Sequence, residues 1–518
     1  MADRIQALKV SCLGGLDTNK DLLTQAERYP GSALQLVNYE PSTSGGYRRI
    51  SGYANSYGAL AGEGGVLGIN IFEGVNNSIF ACRKPSAGTN YFYRWNTSTS
   101  AWVAVTTPGA VTMVGVKKVR FENLTWGVNK MVLVDGINPA AVYDGTTYTQ
   151  ITASTAPAAP KYVTQFANHL FLAGDNSAPY NLYFSAPTSE TNFTPAAGAG
   201  VINVGFSIVQ IKSFRDVLYI FGKNAIKRLV GTSIANFNVQ EVTNNLGCIV
   251  PDSVVEFAGN LVFLSYDGFR PIAGTARIGD VELENLSKQI QTTVNAFIDE
   301  IVQSNLDVEK FTSVVYNKKS QFRFLSTTDG LFGILAGLRR MDQGVAMEFG
   351  QLFDITATAA ASGLIGTEEI LLHGDSTGKV YEQETGSDFD GRPILSIYQT
   401  PYYYFEDPTI RKNLYNVTTF LRAEGSVNIA FAVSYDFDDS VNVFNPADYD
   451  ITTQYAAAYY SSAVYDSAAV YDGNPSPVVK TNISGSGFSV SFTYVTNDTN
   501  LSHNIQGLVM NFSYNDRR

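Results

Sequence analysis

The strongest constraint in this sequence is a hairpin that recurs between about Leu67 and Asp375. Six or seven times, a strand-like run is followed by a short polar turn, a second apolar run and a break at Gly or Asp. A hairpin that recurs every 40–60 residues or so is typical of four-stranded sheets arranged around an axis, which predicts a β-propeller with six or seven blades. The clearest copies begin at Tyr162, Ile208, Val254, Val314 and Leu364, and earlier copies end near Cys82 and Gly136.

Length and composition agree with an all-β protein. A chain of 518 residues is too long for one ordinary core and predicts two to four domains. Its residues are 45% hydrophobic and only 16% charged, with 45 Gly, 30 Tyr and 31 Phe. Many turns and many aromatic strand positions explain that mixture better than helical or disordered structure does.

The pattern changes twice along the chain and so predicts three regions. Residues 1–60 lack the repeat and form an N-terminal β arm or platform. Residues 61–390 form the propeller, with a helical insertion near 285–302. Residues 391–518 return to short alternating strands, such as 428–434 and 488–495, and predict a β-sandwich-like domain.

The insertion has the periodicity of an amphipathic helix. Its apolar residues recur at steps of three and four, and Asn285 or Ser287 is available as the N-cap. We predict that this stripe packs onto a blade edge, with a partner-binding helix as the alternative. The residues of the stripe are Leu286, Ile290, Val294, Phe297, Ile298 and Ile301.

The charge and the cysteines bear on partners and on the compartment. A net charge of −11 does not attract phosphate backbones; it indicates either avoidance of nucleic acid or solubility alone. The chain has three cysteines, Cys12, Cys82 and Cys248, which lie far apart in the sequence. An odd number without close pairs argues against disulfides and fits assembly in a reducing compartment. We also expect no cleaved signal and no membrane span, because no charged-then-apolar leader and no long apolar run is present.

Motifs that would carry catalysis or bind metal are weak. The segment 374–378 (Gly-Asp-Ser-Thr-Gly) has the letters of a serine-hydrolase elbow, but the strand-like residues after it predict a hairpin tip. His169, His373 and His503 are isolated, which argues against a zinc or iron site. We therefore predict no enzyme activity and no cofactor.

One acidic cluster is a candidate site. Asp436, Asp438 and Asp439 lie together, but no Glu follows at the spacing of a calcium loop, so a solvated loop is favoured over an ion site.

Two passages resemble a known family. Residues 14–17 (Gly-Gly-Leu-Asp), 33–41 and 45–53 are similar to the opening of the tail nozzle proteins of short-tailed bacteriophages, also called tail tubular protein B or phage stabilisation proteins. Residues 378–381, 391–394 and 400–402 are similar to the sequence motifs that connect the last propeller hairpin of that family to its C-terminal strands.

The resemblance implies a structural virion protein. It implies a ring, a homohexamer, at the distal end of the tail that docks on the tail adaptor protein and conducts and gates the ejection of genomic DNA. A tail fibre or spike and the host cell surface are further partners that it suggests. The protein would be assembled in the host cytoplasm, and we predict that Asp436, Asp438 and Asp439 line the DNA channel.

An acidic wall fits such a conduit, because six copies at −11 each would repel phosphates and let DNA slide.

Two other functions stay open. A receptor- or glycan-binding propeller at a tail tip predicts a monomer or trimer with a concave aromatic pocket. A propeller hydrolase that acts on surface polysaccharide predicts paired carboxylates in the central funnel. The nozzle predicts a closed six-fold ring, so particle size distinguishes it from the first rival.

Overall fold

The computed structural model describes residues 5–72, 78–88, 90–107, 111–272, 285–328, 331–341, 344–437, 449–453 and 478–515. Nearly all regular structure in these ranges is β. The N-terminal arm has five strands and one helix: β1 (Gln6–Ser11), α1 (Leu22–Arg28), β2 (Gln35–Val37), β3 (Tyr39–Pro41), β4 (Tyr47–Arg49) and β5 (Tyr53–Ala54).

The repeat region forms antiparallel sheets whose strands follow chain order. The first four sheets have four strands each and the fifth has three. Their strands are β6 (Glu63–Phe72), β7 (Ser78–Lys84), β8 (Phe92–Asn96), β9 (Ala101–Ala104); β10 (Arg120–Leu124), β11 (Lys130–Val134), β12 (Ala141–Tyr143), β13 (Tyr148–Gln150); β14 (Tyr162–Phe166), β15 (His169–Ala173), β16 (Asn181–Phe184), β17 (Gly200–Asn203); β18 (Gln210–Phe214), β19 (Val217–Phe221), β20 (Ile226–Val230), β21 (Asn238–Thr243); β22 (Val255–Phe257), β23 (Asn260–Ser265) and β24 (Gly268–Pro271).

The ring continues through one shared sheet and ends on a last blade. Strands β25–β28 begin a nine-stranded sheet, and the last blade has the order β29-β30-β31-β5, so the N-terminal strand β5 completes it. The strands are β25 (Phe311–Tyr316), β26 (Gln321–Ser326), β27 (Gly333–Met341), β28 (Gly344–Leu352), β29 (Ala359–Ile365), β30 (Glu368–Gly374) and β31 (Val380–Gln383). Six blades are thus sheets of their own, and β25–β28 lie in the ring between the fifth blade and the last.

Buried clusters between neighbouring blades close the ring. Each cluster takes its apolar side chains from two adjacent sheets; Val66 of the first blade, for example, packs with Leu372 of the last. Each fully buried side chain of this size contributes about 1.5–3 kcal/mol. The prediction of an all-β chain with a six- or seven-bladed propeller is confirmed.

Two-residue turns explain why the first two strands of a blade form a hairpin. Ala167-Asn168, Arg215-Asp216 and Ala258-Gly259 all have positive φ, between 47° and 70°. Two successive left-handed residues make the type I′ turn, whose twist matches that of the paired strands. The turns are shorter than the polar stretches of the sequence indicate, because His169, Phe214 and Asn260 already belong to strands.

The predicted helix is present as α2 (Gln291–Gln303), and its buried residues are Val294, Phe297, Ile298 and Ile301. Phe297 packs against Phe311 and Phe324 of the shared sheet, with ring centroids 6.3 and 5.8 Å apart. The predicted N-cap is wrong. The N-cap is Ile290 without a side-chain hydrogen bond, because a short 3-10 turn, Lys288–Ile290, precedes the helix.

Within the described ranges, four further 3-10 turns join strands: Pro195–Ala197, Pro251–Ser253, Val308–Lys310 and Asn317–Lys319. The C-terminal strands are β32 (Ile394–Gln399), β33 (Arg411–Ala423), β34 (Val427–Tyr435), β35 (Tyr449–Thr453), β36 (Val478–Asn482), β37 (Ser486–Gly487), β38 (Val490–Asp498) and β39 (His503–Asn515).

The C-terminal strands form two sheets that share one core with the arm. One sheet has the order β3-β4-β39-β33-β36, with β1 on β39 and β37 on β33. The other is the remainder of the nine-stranded sheet, β2-β32-β38-β34-β35. Thr419 Oγ1 on the first and the Tyr494 hydroxyl on the second lie 3.1 Å apart. The boundaries near residues 60 and 390 stay predictions; strands on both sides of each share sheets.

Candidate functional site

The first strand of each blade lies nearest the axis. Neighbouring first strands contact one another from β6 to β10, β14 and β18, and from β22 to β25, β29 and back to β6. Loops that precede these strands therefore meet at one end of the axis, where ligands of propellers and barrels have access to several elements at once.

One carboxylate joins three consecutive blades near the axis. Glu122 on β10 accepts hydrogen bonds from Thr164 Oγ1 and from the backbone N–H of Gln165 on β14, each at 3.2 Å. The Nζ of Lys212 on β18 lies 3.7 Å from the same carboxylate.

An arginine crosses the axis at the end where β10 begins. Arg120 donates two hydrogen bonds to Asp252, at 2.8 and 2.9 Å, and one to Glu309 at 2.5 Å. Asp252 precedes the fifth blade and Glu309 precedes β25, so these bonds span the ring instead of joining neighbours. Lys118 adds an ion pair to Asp252 at 2.9 Å and donates to the carbonyl oxygen of Phe311. These four side chains form what we call the axial ion cluster, which links blades across the ring.

The cluster is buried, and its charges sustain one another. Burial alone would raise the pKa of the Asp252 carboxyl, but the charges of Arg120 and Lys118 outweigh burial and hold that pKa well below its usual value. Burial would likewise lower the pKa of Arg120, and the charges of Asp252 and Glu309 raise it instead. Asp252 and Arg120 are therefore both charged at neutral pH. Removing one partner of such a buried ion pair is costly, because the other charge is left without compensation.

A cavity of about 320 Å³ opens beside this cluster. Its walls come from the loop before β10, two turns of the second and third blades, and the turn before β25. The lining residues are Gly115, Lys117, Lys118, Arg120, Asp135, Gly136, Ile137, Lys161, Asn176, Asp307, Val308 and Glu309.

Two lysines at this cavity have different partners. Lys117 is ion-paired with Asp307 at 2.5 Å. Burial raises the pKa of Asp307, but the hydrogen bond from Lys117 helps to bring it below its usual value. Lys161 instead donates to the neutral Oδ1 of Asn176 at 2.8 Å.

The predicted channel residues are only partly described. The Oδ1 of Asp436, just after β34, accepts hydrogen bonds from the backbone N–H groups of Phe488 and Ser489, at 2.7 and 2.9 Å. Asp436 therefore connects the end of β34 to the segment between β37 and β38. Asp438 and Asp439 lie outside the described residues, and the role of all three in lining a channel stays a prediction.

The segment 374–378 forms a hairpin tip, as its sequence indicates. Strand β30 ends at Gly374 and β31 begins at Val380. Between them, the Oδ1 of Asp375 accepts hydrogen bonds from the backbone N–H groups of Thr377 and Lys379, at 2.9 and 2.8 Å. His373 points into the core, where its ring stacks on Tyr381 at 5.0 Å.

Within the described residues, no group of three or more His, Cys, Asp or Glu is arranged to hold a metal ion. Cys12, Cys82 and Cys248 are buried thiols, and burial raises the pKa of Cys12 to about 12. No helix among the described ranges is long and apolar enough to span a membrane.

The N-terminal passage that resembles nozzle proteins forms the joint between the arm and both C-terminal sheets. The Tyr47 hydroxyl donates to the carbonyl oxygen of Gly31 at 2.7 Å and accepts from the Gly15 N–H at 2.9 Å. Arg48 pairs with Glu424 at 2.7 Å and with Glu40 at 3.1 Å. The buried Arg49 pairs with Asp498 at 2.9 Å. We call these contacts the arm joint.

Sequence reasoning missed the axial ion cluster. Arg120 is 132 residues from Asp252 and 189 from Glu309. The only local signal was the pair of short 3-10 turns, each with an acidic residue in its first turn just before an inner strand.

Comparison with known proteins leaves the family open. No protein-family model and no curated protein matches the chain. Among solved structures it is similar to the extracellular domain of BT4673 from B. thetaiotaomicron, described as a hybrid two component system, with 11% identity and a TM-score of 0.40 over 70% of this chain and 42% of that one. A second structure of the BT4673 extracellular domain, there described as a one component system, gives 10% identity and a TM-score of 0.37 over 70% of this chain and 43% of that one.

A third similar structure is BBS1N in complex with ARL6DN, with 10% identity and a TM-score of 0.36 over 66% of this chain and 97% of that one. The chain thus spans about two fifths of the length of the two bacterial domains that it matches. None of these similarities bears on function.

Proposed function

We propose that this chain is a structural subunit of the tail nozzle of a short-tailed bacteriophage, with no enzyme activity. In this proposal six copies form a ring that docks on the tail adaptor and conducts and gates genomic DNA during ejection. A tail fibre or spike and the host surface are its further contacts.

The arm joint is the observation that carries the proposal. Residues whose sequence resembles nozzle proteins are also the residues that bind the arm to both C-terminal sheets. The ion pair between the buried Arg49 and the half-buried Asp498 gives that joint a defined geometry. A subunit of a load-bearing ring needs such rigid coupling between its parts, because force on one sheet must reach the others.

The axial ion cluster also bears on where DNA would run. Because Arg120, Asp252 and Glu309 cross the propeller axis, a DNA path would lie between copies and not through a single propeller. With −11 charges per copy, such a path would repel phosphates.

Particle mass in solution tests the ring. We expect light scattering on the purified full chain to give six times 56.3 kDa, or that mass plus the mass of the bound adaptor when the tail adaptor protein is present. Electron micrographs should show six-fold views. A protein that stays monomeric or trimeric under both conditions would refute the nozzle proposal.

A second candidate function is ligand binding by the propeller at a tail tip. The cavity beside the axial ion cluster favours it, because convergent polar side chains in a concave site are typical of ligand sites. The cavity lacks the aromatic wall that this alternative predicts.

A further inference from the structure

The cavity beside the axial ion cluster shares three side chains with it. Arg120, Lys118 and Glu309 line the cavity, and the ion cluster holds these three side chains in place. At about 320 Å³ it lies at the lower end of the range for small-molecule sites. A cavity of this size admits one or two small rings.

Lys161 is positioned by its packing. A Cβ on Gly136 would come within 2.5 Å of the Cγ of Lys161, and one on Gly174 within 3.1 Å of its Cβ. The aliphatic part of Lys161 therefore lies against the two turns that contain Gly136 and Gly174, and a side chain at either position would collide with it. Gly136 also has φ +76°. These turns fix the direction of the ammonium group and reduce the side-chain entropy that binding would cost.

The Lys161 charge has no ion-pair partner among the described residues. Its Nζ donates to the neutral Asn176 Oδ1. An ammonium has three N–H donors, so two remain for a ligand. Lys117, by contrast, is already balanced by Asp307. Lys161 thus presents an ammonium without an ion-pair partner on a held side chain, and an anionic group complements it. The Asp135 carboxylate in the same lining also has no ion-pair partner among the described residues, so the anionic group of a ligand must sit on Lys161 and away from Asp135.

The other polar groups fit hydroxyls. Asp135 uses its carboxylate to cap its own turn, accepting from the N–H groups of Ile137 and Asn138 and from the Asn138 amide, with lone pairs remaining. The Nδ2 group of Asn176 has no partner among the described residues. Carboxylate and amide oxygens accept from hydroxyls, and an amide N–H₂ donates to them. A ligand with several hydroxyls would satisfy these groups.

We propose that the cavity binds one acidic sugar residue, with its carboxylate on Lys161 and its hydroxyls toward Asp135 and Asn176. A neutral sugar would leave the lysine charge unmatched, and a small anion such as acetate would leave the remaining polar groups to water. This inference deepens the second candidate function and does not depend on ring formation.

Binding of D-glucuronate to the full chain tests the proposal, measured by titration calorimetry or ligand-observed NMR. We expect glucuronate to bind more tightly than glucose or acetate. Lys161→Met should weaken glucuronate binding by at least about tenfold, the scale of one lost charge-assisted hydrogen bond. Lys480→Met, which removes an exposed lysine of β36, should leave the affinity unchanged.

Each contrary result overturns the assignment. Equal affinity for glucose would remove the role of the charge, and equal affinity for acetate would leave only an anion site. No binding of glucuronate, or unchanged binding by a folded Lys161→Met variant, would overturn the site itself. Asn176→Ala provides a second variant at an exposed position and should weaken glucuronate more than acetate. Particle mass, measured on the same samples, reports separately on the ring.

Discussion

Two histidine rings lie in the core, and their surroundings determine how they ionise. His373 stacks on Tyr381, and the Nε2 of His503 lies 2.8 Å from the Tyr39 hydroxyl. Burial lowers the pKa of each histidine from 6.5 to about 3. Both are therefore neutral in the folded protein at any pH above about 3, whereas the unfolded chain takes up protons below about 6.5.

The sign of the pH dependence follows from that difference. The unfolded state binds more protons than the folded state between pH 6.5 and 3, so stability falls as the pH falls through this window. At pH 5 each histidine should cost about 2 kcal/mol of unfolding free energy relative to neutral pH.

His373→Phe tests this at one residue. Phe keeps the ring stack on Tyr381 and removes the titrating group, whose Nδ1 has no hydrogen-bond partner among the described residues. We expect the variant to lose about 2 kcal/mol less stability than the wild type between pH 7 and pH 5. Urea unfolding at both pH values measures the difference. Identical pH dependence in the two proteins would contradict a buried neutral His373.

At the scale of elements, the last blade is closed by the N-terminal strand β5. Tyr53 and Ala54 pair with Gln383 and Glu382 of β31. The preceding Gly52 passes so close to the last blade that a Cβ there would lie 1.9 Å from the carbonyl oxygen of Asp388. The pairing of β5 with the last blade thus requires glycine at position 52, directly before the strand.

Gly52→Ala should loosen this closure. The clash should cost about 1–3 kcal/mol, because the backbone must move to admit the methyl group. We expect faster amide hydrogen exchange in β5 and β31 and a lower unfolding midpoint. Gly386→Ala is the control: its Cβ meets open space, and its φ of +73° should cost about 1 kcal/mol without faster exchange in β5. Equal exchange in both variants would show that closure does not depend on this close approach.

At the scale of the whole molecule, the axial ion cluster links blades that are not neighbours. Hydrophobic clusters join each blade only to the next, whereas Arg120 connects the second blade to residues before the fifth blade and before β25. Since these groups are buried, removing one partner leaves the other charges without compensation.

Arg120→Met should therefore destabilise the propeller by about 3–5 kcal/mol. Lys318→Met removes the exposed ion pair with Glu368 and should leave stability nearly unchanged, because solvent screens an exposed pair. Thermal and chemical unfolding of both variants measures the contrast. If the two variants lose equal stability, the axial cluster does not tie the ring together.

Local pattern alone determined the strands, the hairpins and the ring that they form. Turns such as Ala167-Asn168 depend on backbone preferences within a few residues, so the sequence predicts them to within a residue or two. The stripe of α2 depended on local spacing in the same way, but its N-cap did not, because a 3-10 turn directly precedes the helix.

Only the tertiary structure decided which distant residues meet. In the axial ion cluster, Arg120 meets Asp252, which is 132 positions away, and Glu309, which is 189 positions away. The cavity takes its lining from the second and third blades and from the turn before β25. Strand β5 completes a blade whose other strands lie more than 300 residues later. These contacts depend on closure of the ring, which brings chain segments together irrespective of their separation in sequence, and no short-range periodicity encodes them.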